Sequence, residues 1–422
     1  MAPSEGSIPD YRPRVVDLQL TQSLEAIGAV LVEGPRACGK TETARRAARS
    51  EVRMDTPAAR QTYAVAPALV LDGEPPHLID EWQVEPDLWN DIRHAVDDRR
   101  ATGQFILTGS SVPRDDERRH SGAGRFIHVR MRPMTLAEAG YSSGRVSLAA
   151  VLGGEHVAAP DPGISVGDLA ERIVTGGWPG LLGLTSAQAM RAVEGYLDDV
   201  CRVDVQRLDG VRRDPAGVRA VVASLARNVA CPVTIESLAA DAGGADRTVK
   251  TETVRAYLAA LDRLMITDDM PAWRPSLRSR TRLRGQTVRH LADPSLATAA
   301  LNASPARLLR DLNWMGLLFE SLVVRDLRID AQALGGRLFH YRDSLGLEAD
   351  AIIELPGGDW AAFEIKLGSS PAVVDGAAAN LIRLRDRVAG EPPVALGVIT
   401  AAGFGFTRPD GVHQIPIGAL AA

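Results

Sequence analysis

One eight-residue stretch has the composition and spacing of a phosphate-binding loop. The letters GPRACGKT fit the pattern GxxxxGK[ST] without a gap, after an apolar strand pattern and before a helical one. Glycines let such a loop curl so that its backbone N–H groups face phosphate oxygens, and the following helix adds a positive dipole. We therefore predict that a nucleotide binds along Gly34, Pro35, Arg36, Ala37, Cys38, Gly39, Lys40 and Thr41.

The ends of two later strand patterns carry polar side chains suited to the same ligand. Lys40 would reach the β- and γ-phosphates, and the Thr41 hydroxyl would ligate Mg²⁺. In LIDE, Asp80 would hold the magnesium ion and Glu81 would polarise the attacking water as general base. In FILTGSS, Thr108 would sense the γ-phosphate. A simple glycine-rich turn is the alternative, but it does not account for these strand ends, so we predict ATP with Mg²⁺.

Arg125, in SGAGR, follows the third strand pattern. It could act across a subunit interface as an arginine finger, which would require a homo-oligomer. The alternative is an ordinary exposed arginine. Arginine is abundant here, since only Lys40, Lys250 and Lys366 among the 48 basic residues are lysine.

A second group of ionisable residues occurs towards the C-terminal end. Glu320 lies in an amphipathic helix pattern, Asp350 in LEADAIIE, and Glu364 and Lys366 in AAFEIKL. The turn signal LPGGD between the last two segments predicts a β-hairpin in which Asp350 faces Glu364. The same register places Glu348 opposite Lys366.

This register favours a metal site. Facing carboxylates repel one another unless a divalent cation lies between them, and carboxylate oxygens suit Mg²⁺. Asp350 and Glu364 would bind the metal, Lys366 would orient or deprotonate a water, and Glu320 would hold a metal-bound water. The alternative is a solvated hairpin face with a Glu348–Lys366 salt bridge.

The elements that must position these groups form an α/β pattern. Short apolar strand patterns at Ala29–Glu33, His77–Asp80 and Gln104–Thr108 alternate with helical patterns, the first of them at Thr41–Ser50, and this alternation predicts a parallel sheet. A segment rich in Gly, Pro and Ala at 149–168 indicates a boundary or long loop. A helical pattern at 234–242 and a second one with an apolar face at 254–264 are followed by the strand-like MITDDMPAW, which is the order of a winged helix. A last α/β pattern begins near residue 311.

Basic residues in the middle region could contact DNA. Lys250 begins the second of these helical patterns, and a strand would place Arg278, Arg280, Arg282 and Arg284 on one face. The alternative is a solvated edge strand blunted by charge, and winged helices also serve as protein contacts or lids.

Composition limits the class of protein. The chain of 422 residues is 45% hydrophobic and 24% charged, and its net charge is −5, so any basic surface is local. Its three cysteines show no metal or disulfide spacing. We find no apolar run of membrane-spanning length and no signal-peptide core, so we expect a cytoplasmic protein without a membrane partner.

Several motifs together carry a family resemblance. The segments YRPRVVDLQL, LVEGPRACGKTETARRAA, HLIDEWQ, GQFILTGSS, SGAGR and TGGWP resemble prokaryotic AAA-family ATPases that have a C-terminal domain of unknown function. The resemblance implies an AAA-type core, a helical and winged-helix middle and a restriction-endonuclease-like C-terminal domain. ATPases of this kind often act as oligomers. The C-terminal hairpin also resembles PD-(D/E)xK nucleases, although Ala349 replaces the proline before Asp350.

We accordingly expect an α/β protein of four parts. Residues 1–150 would form the P-loop AAA-type ATPase core, 151–215 a linker and helical lid, 216–290 a winged-helix-like domain, and 291–422 a PD-(D/E)xK nuclease-like domain. ATP would be hydrolysed in the first part and would control DNA binding or metal-dependent DNA cleavage in the last. The alternative is a nucleotide-operated switch that binds DNA or protein through a catalytically inactive nuclease-like domain.

Overall fold

The computed structural model describes residues 11–111, 122–244, 249–274 and 286–422. It divides into two compact units. The first contains the described residues of Met1–Glu33, Gly39–Gly109 and Glu117–Arg130, and the second those of Gly34–Cys38, Ser110–Asp116 and Met131–Ala422.

The first unit is a parallel α/β structure, as the alternating pattern predicted. Its helices are α1 Val16–Ala26, α2 Lys40–Ala47, α3 Pro57–Val65, α4 Pro67–Leu71 and α5 Leu88–Arg99. Its strands are β1 Ala29–Glu33, β2 Ser50–Arg53, β3 His77–Asp80, β4 Phe105–Gly109 and β5 Phe126–Arg130. The order across the sheet is β2-β3-β4-β1-β5, and all neighbours are parallel.

Strand polarity brings the predicted polar residues to one edge. The strands predicted at Ala29–Glu33 and His77–Asp80 have the expected bounds, whereas the third begins and ends one residue later than predicted, at Phe105–Gly109. Strands β1, β3 and β4 are buried along nearly their whole length, as expected for a parallel sheet covered on both faces. Because parallel strands end at the same edge, the end of β3 lies beside the end of β4.

The second unit begins with helices and short strands. In chain order these are β6 Val146–Ser147, α6 Leu148–Leu152, β7 Ala158–Ala159, α7 Val166–Thr175, α8 Ser186–Asp199, a π-helix at Val200–Asp204, α9 Val205–Arg207, α10 Pro215–Arg227, β8 Cys231–Pro232, α11 Ile235–Gly243, α12 Thr251–Arg263 and β9 Val288–Arg289. The helices predicted at 234–242 and at the 254–264 apolar face correspond to α11 and α12. The segment predicted as a strand, MITDDMPAW, forms only isolated bridges: Thr267 pairs with Leu291, Met270 with Val288 and Ala272 with His340.

A seven-stranded sheet dominates the rest of this unit. The remaining elements are α13 Pro294–Ala300, α14 Pro305–Leu308, α15 Leu312–Ala333, β10 Arg337–Arg342, β11 Glu348–Glu354, β12 Trp360–Lys366, α16 Pro371–Arg387, β13 Ala395–Thr400, β14 Gly405–Thr407, β15 His413–Pro416 and β16 Leu420–Ala421. The order is β10-β11-β12-β13-β15-β14-β7. Helices α15 and α16 both contact β11 and β12, so polar groups on these helices can reach the hairpin.

The glycine- and proline-rich segment after residue 149 also contributes to this sheet. Ala158 and Ala159 pair antiparallel with Phe406 and Gly405 at the sheet edge. Just before this segment, Val146 pairs in parallel with Leu420 in a separate two-stranded sheet. The sequence indicated a boundary or loop here because two-residue strands leave no periodic pattern.

Candidate functional site

The predicted phosphate-binding loop connects β1 to α2. A Cβ on Gly34 would lie 2.1 Å from the carbonyl oxygen of Met131, so only glycine fits this approach. Ala37 and Gly39 have φ values of 62° and 104°, in the left-handed region. When residues of left-handed conformation stand next to residues of right-handed conformation, their successive backbone N–H groups point to the same side. Backbone loops bind anions in this way. The helix predicted at 41–50 begins at Lys40, whose side chain is buried, and ends at Ala47.

Asp80 is the centre of the polar groups at this edge of the sheet. The Thr41 hydroxyl donates to Asp80 Oδ1 at 2.9 Å, and the Thr108 hydroxyl donates to the same oxygen at 2.5 Å. Asp80 and Thr108 are both buried. Residues from the loop, the end of β3 and the end of β4 therefore meet at one carboxylate oxygen. The hydroxyl and carboxylate oxygens fit the hard oxygen ligands that Mg²⁺ prefers.

Glu81 is held in an unusual conformation directly after β3. Its φ is 54°, a left-handed value that costs free energy in a residue with a Cβ. The side-chain amide of Gln83 donates a hydrogen bond to a Glu81 carboxylate oxygen. A Cβ on Gly109 would lie 2.9 Å from Gln83 Oε1, so the end of β4 also limits this amide. Gln83 was not predicted from the sequence, where its only signal is a polar side chain two residues after Glu81.

Arg125 has a partner within its own unit. Its Nε donates to Asp97 Oδ1 at 2.8 Å and its second amino group donates to Oδ2 at 3.3 Å. This two-point contact lowers the pKa of the Asp97 carboxyl, since the guanidinium favours the charged form. An arginine finger would have to leave this ion pair, so the role of Arg125 across a subunit interface stays a prediction.

Residues 27–140, which contain the loop and all three strand ends, match the family model described as an AAA domain. This segment is similar to an AAA domain. Two other models match, each described as a domain of unknown function: DUF8612 at residues 166–307 and DUF4143 at residues 315–420. The match with an AAA domain supports a P-loop α/β core for this part of the chain.

The comparison with solved structures gives a weaker likeness. A Walker-type ATPase of Pyrococcus abyssi is similar at 14% identity with a TM-score of 0.41, covering 69% of this chain and 99% of that one. No curated protein matches the chain.

Outside the residues that match the AAA model, the C-terminal hairpin has the predicted register only in part. Ala351 pairs with Phe363 and Glu354 with Trp360, as the turn signal predicted. The ladder ends there, before Asp350. The Asp350 carboxylate instead accepts a hydrogen bond from the Ile365 N–H at 2.7 Å, so a side chain takes the place of the next backbone pair.

The pairing of Glu348 with Lys366 was therefore wrong. Glu348 pairs with Arg342 on β10, at 3.7 Å. The Lys366 ammonium lies 3.0 Å from Asp350 Oδ2 and 2.6 Å from Glu364 Oε2. The strands separate beyond Ala351, and the ammonium lies within reach of both carboxylates that we predicted to be metal ligands.

Burial makes this cluster electrostatically unusual. It raises the pKa of Glu364 to about 7, with the Asp350 carboxylate adding to the shift and Lys366 opposing it. It also raises the pKa of Glu320, on α15, well above its usual range, and Asp350 again adds to the shift. Burial lowers the pKa of Lys366, but Asp350 and Glu364 outweigh this effect and hold it above its ordinary value. The structure thus brings together all four predicted residues: Glu320, Asp350, Glu364 and Lys366.

Asn380 on α16 joins the cluster, although the sequence did not predict it. Its amide nitrogen donates to Glu364 Oε1 at 2.5 Å and to the Glu348 carbonyl oxygen at 2.7 Å. A lone asparagine in a helical pattern gives no sequence signal for such a role. Across the described residues, no group of three or more His, Cys, Asp or Glu side chains has the arrangement of a metal site.

The predicted DNA-contact residues are only partly described. Lys250 is exposed and lies immediately before α12. Arg278, Arg280, Arg282 and Arg284 lie outside the described residues. No helix in the described part of the chain is long and apolar enough to cross a membrane.

Proposed function

We propose that the chain is an ATP-driven DNA-processing protein in which the AAA domain controls metal-dependent DNA cleavage at the C-terminal cluster. The observation that carries the ATPase part is the convergence of the Thr41 and Thr108 hydroxyls on Asp80 Oδ1. The loop after β1 and the ends of β3 and β4 thus supply the hydroxyl and carboxylate oxygens that suit a magnesium–nucleotide complex.

In the AAA domain, backbone N–H groups of Gly34–Gly39 would bind the phosphates, with Lys40 on the β- and γ-phosphates. Thr41 and Asp80 would hold Mg²⁺, which when bound supplies charge neutralisation between the phosphates. Glu81 would accept a proton from the attacking water, and Thr108 would hydrogen-bond near the γ-phosphate. Arg125 would complete the site across a homo-oligomer interface.

In the C-terminal cluster, Asp350 and Glu364 would hold a second divalent cation, which when bound supplies Lewis-acid polarisation of a phosphodiester. Lys366 would then turn from the carboxylates to a water molecule and to the charge that develops on the phosphorus oxygens. Glu320 would accept a hydrogen bond from a metal-bound water. The nearness of Lys366 to both carboxylates supports this exchange of partners.

A single experiment tests both parts. Purified full-length protein is incubated with single- and double-stranded DNA, with Mg²⁺ or Mn²⁺, and with or without ATP. The same reactions are run with Asp350→Ala and Lys40→Ala. We expect Asp350→Ala to abolish cleavage and Lys40→Ala to abolish ATP hydrolysis. Cleavage that survives Asp350→Ala would eliminate the proposed nuclease site, and an ATPase rate unchanged by Lys40→Ala would eliminate the nucleotide site.

The ion pairs of Lys366 also favour a second candidate function. An ammonium already neutralising Asp350 and Glu364 would stabilise the cluster without a metal. The C-terminal domain would then dock DNA or a protein partner in response to nucleotide, and Lys250 would be one contact. ATP-dependent retention of DNA without cleavage would favour this switch.

A further inference from the structure

An open pocket of about 460 Å³ adjoins the carboxylate cluster in the second unit. One wall is the segment 345–347, between β10 and β11. The other is one face of α16, which contributes Asn380, Arg383 and Arg387. These positions are three, then four, residues apart, so their side chains lie on the same side of the helix.

Asn380 connects the pocket to the cluster. Its amide nitrogen binds Glu364 and the Glu348 carbonyl, while its amide oxygen accepts a hydrogen bond from Arg383 at 3.0 Å. One side chain therefore fixes both a carboxylate of the cluster and a guanidinium of the pocket.

The pocket has an excess of positive charge on Arg383. Arg387 pairs with Asp343 at 3.2 Å, and Asp386 pairs with Arg385 at 2.8 Å. Arg383 is exposed and donates to the neutral Asn380; within the described part of the chain it belongs to no ion pair. A guanidinium offers several N–H donors in a plane, an arrangement that matches the oxygens of a phosphate group.

The wall opposite Arg383 is tied to Arg387 through one carboxylate. Asp343 accepts hydrogen bonds from the backbone N–H groups of Leu345 and Leu347, at 2.8 and 3.0 Å. The same Asp343 pairs with Arg387, so the two walls are cross-linked and the pocket is held open.

We propose that this pocket binds a backbone phosphate of a DNA strand, next to the phosphodiester at the carboxylate cluster, with Arg383 as its main contact. The inference rests on the proposed action on DNA and adds a specific subsite to it. Asn380 acts as a positioning residue, because it sets Glu364 and Arg383 at a fixed separation. The positive charge of Arg383 also offsets the repulsion between the acidic cluster and an approaching DNA strand.

The test measures DNA binding by the full-length protein across a series of NaCl concentrations. A fluorescein-labelled single strand and its duplex serve as probes, and fluorescence anisotropy gives the dissociation constant. The binding buffer contains Ca²⁺ in place of Mg²⁺, since both cations prefer oxygen ligands. Loss of one phosphate contact reduces the slope of log K against log salt by about 0.7 for single strands and about 0.9 for duplex.

We expect Arg383→Gln to reduce the slope by that amount and to weaken binding of unrelated sequences equally. Arg337→Gln is the matched control, since Arg337 is an exposed arginine at the start of β10 and outside the pocket. Asp386→Asn should act in the opposite direction and tighten binding, because it removes an exposed acid from the pocket lining. A misfolded variant would not produce this gain.

The possible outcomes distinguish a failure of the pocket proposal from a failure of the proposed action on DNA. If the wild-type protein binds DNA and Arg383→Gln behaves like Arg337→Gln, the pocket proposal is wrong while the proposed action on DNA stands. A loss of affinity with an unchanged salt slope also overturns the pocket proposal. If the wild-type protein does not bind either probe, the proposed action on DNA fails and the pocket proposal fails with it.

Discussion

The ammonium of Lys366 lies 2.6 Å from a carboxylate oxygen of Glu364, two residues earlier on the same strand. Residues two apart lie on the same face of a strand, so the strand geometry alone allows these two side chains to meet. Asp350 is a second partner of the same ammonium, at 3.0 Å. A divalent cation and Lys366 would therefore compete for the same two carboxylates.

This competition predicts the effect of removing the lysine. Lys366→Gln should raise Mn²⁺ affinity in the absence of nucleotide by roughly tenfold, or ~1.4 kcal/mol. The reason is that the lysine ammonium no longer competes with the metal for the two carboxylates. Glu364→Gln should abolish the same binding. Isothermal titration with Mn²⁺ measures both. Unchanged affinity in Lys366→Gln would show that the metal does not use these carboxylates.

The contact between Gln83 and Glu81 predicts a graded loss of ATP hydrolysis. Glu81→Gln should lower the rate by about 10²–10⁴-fold with ATP binding retained, because the proposed general base is lost. Gln83→Ala should lower it by roughly tenfold, since Glu81 would lose the amide that orients it. Steady-state hydrolysis and nucleotide-binding titrations separate the two effects. Gln61→Ala, at an exposed position on α3, is the control. A Gln83→Ala rate equal to that control would remove Gln83 from the mechanism.

A buried ion-pair network in the second unit predicts a large stability effect. Arg325 is buried and contacts Asp293 and Asp326, each at 2.7 Å. Arg325→Leu should lower the free energy of unfolding by about 3–5 kcal/mol, because two buried carboxylates lose their counter-charge. Arg310→Leu, at an exposed position, should change it by less than about 0.5 kcal/mol. Urea unfolding compares them, and equal midpoints would contradict the prediction.

His290 predicts how stability depends on pH. Burial lowers the pKa of this imidazole well below its usual value, with Arg328 and His340 adding to the shift and Asp268 opposing it. Its Nδ1 lies 3.2 Å from the Ser321 hydroxyl. Below about pH 6.5 the unfolded chain binds a proton that the folded chain resists, so the free energy of unfolding should fall as pH decreases.

The measurement compares wild type with His290→Gln by urea unfolding at about pH 7.5 and pH 5.5. The wild-type protein should lose more stability between these two values, by at most ~1.4 kcal/mol per pH unit. Equal losses in the two proteins would mean that His290 does not control this dependence.

Local patterns predicted the parts of the fold that depend on neighbouring residues. The buried runs that became β1 and β3 were predicted with their exact bounds because strands in a parallel sheet are apolar on both faces. The hairpin register from Ala351 to Glu354 followed from a turn of fixed length. The register failed at Asp350, since the choice between a backbone and a side-chain acceptor depends on the surrounding helices and charges.

The sequence by itself determined the phosphate-binding loop, the strand ends that accompany it and the types of residue in the C-terminal cluster. Only the tertiary structure decided that Thr41 and Thr108 share one oxygen of Asp80, that Lys366 contacts both Asp350 and Glu364, and that Asn380 ties Glu364 to Arg383. The reason is physical: periodicity and spacing fix the face and order of a residue along its own element. The partner of a polar side chain on another element is fixed by how those elements pack, by burial and by the charges that burial leaves close together.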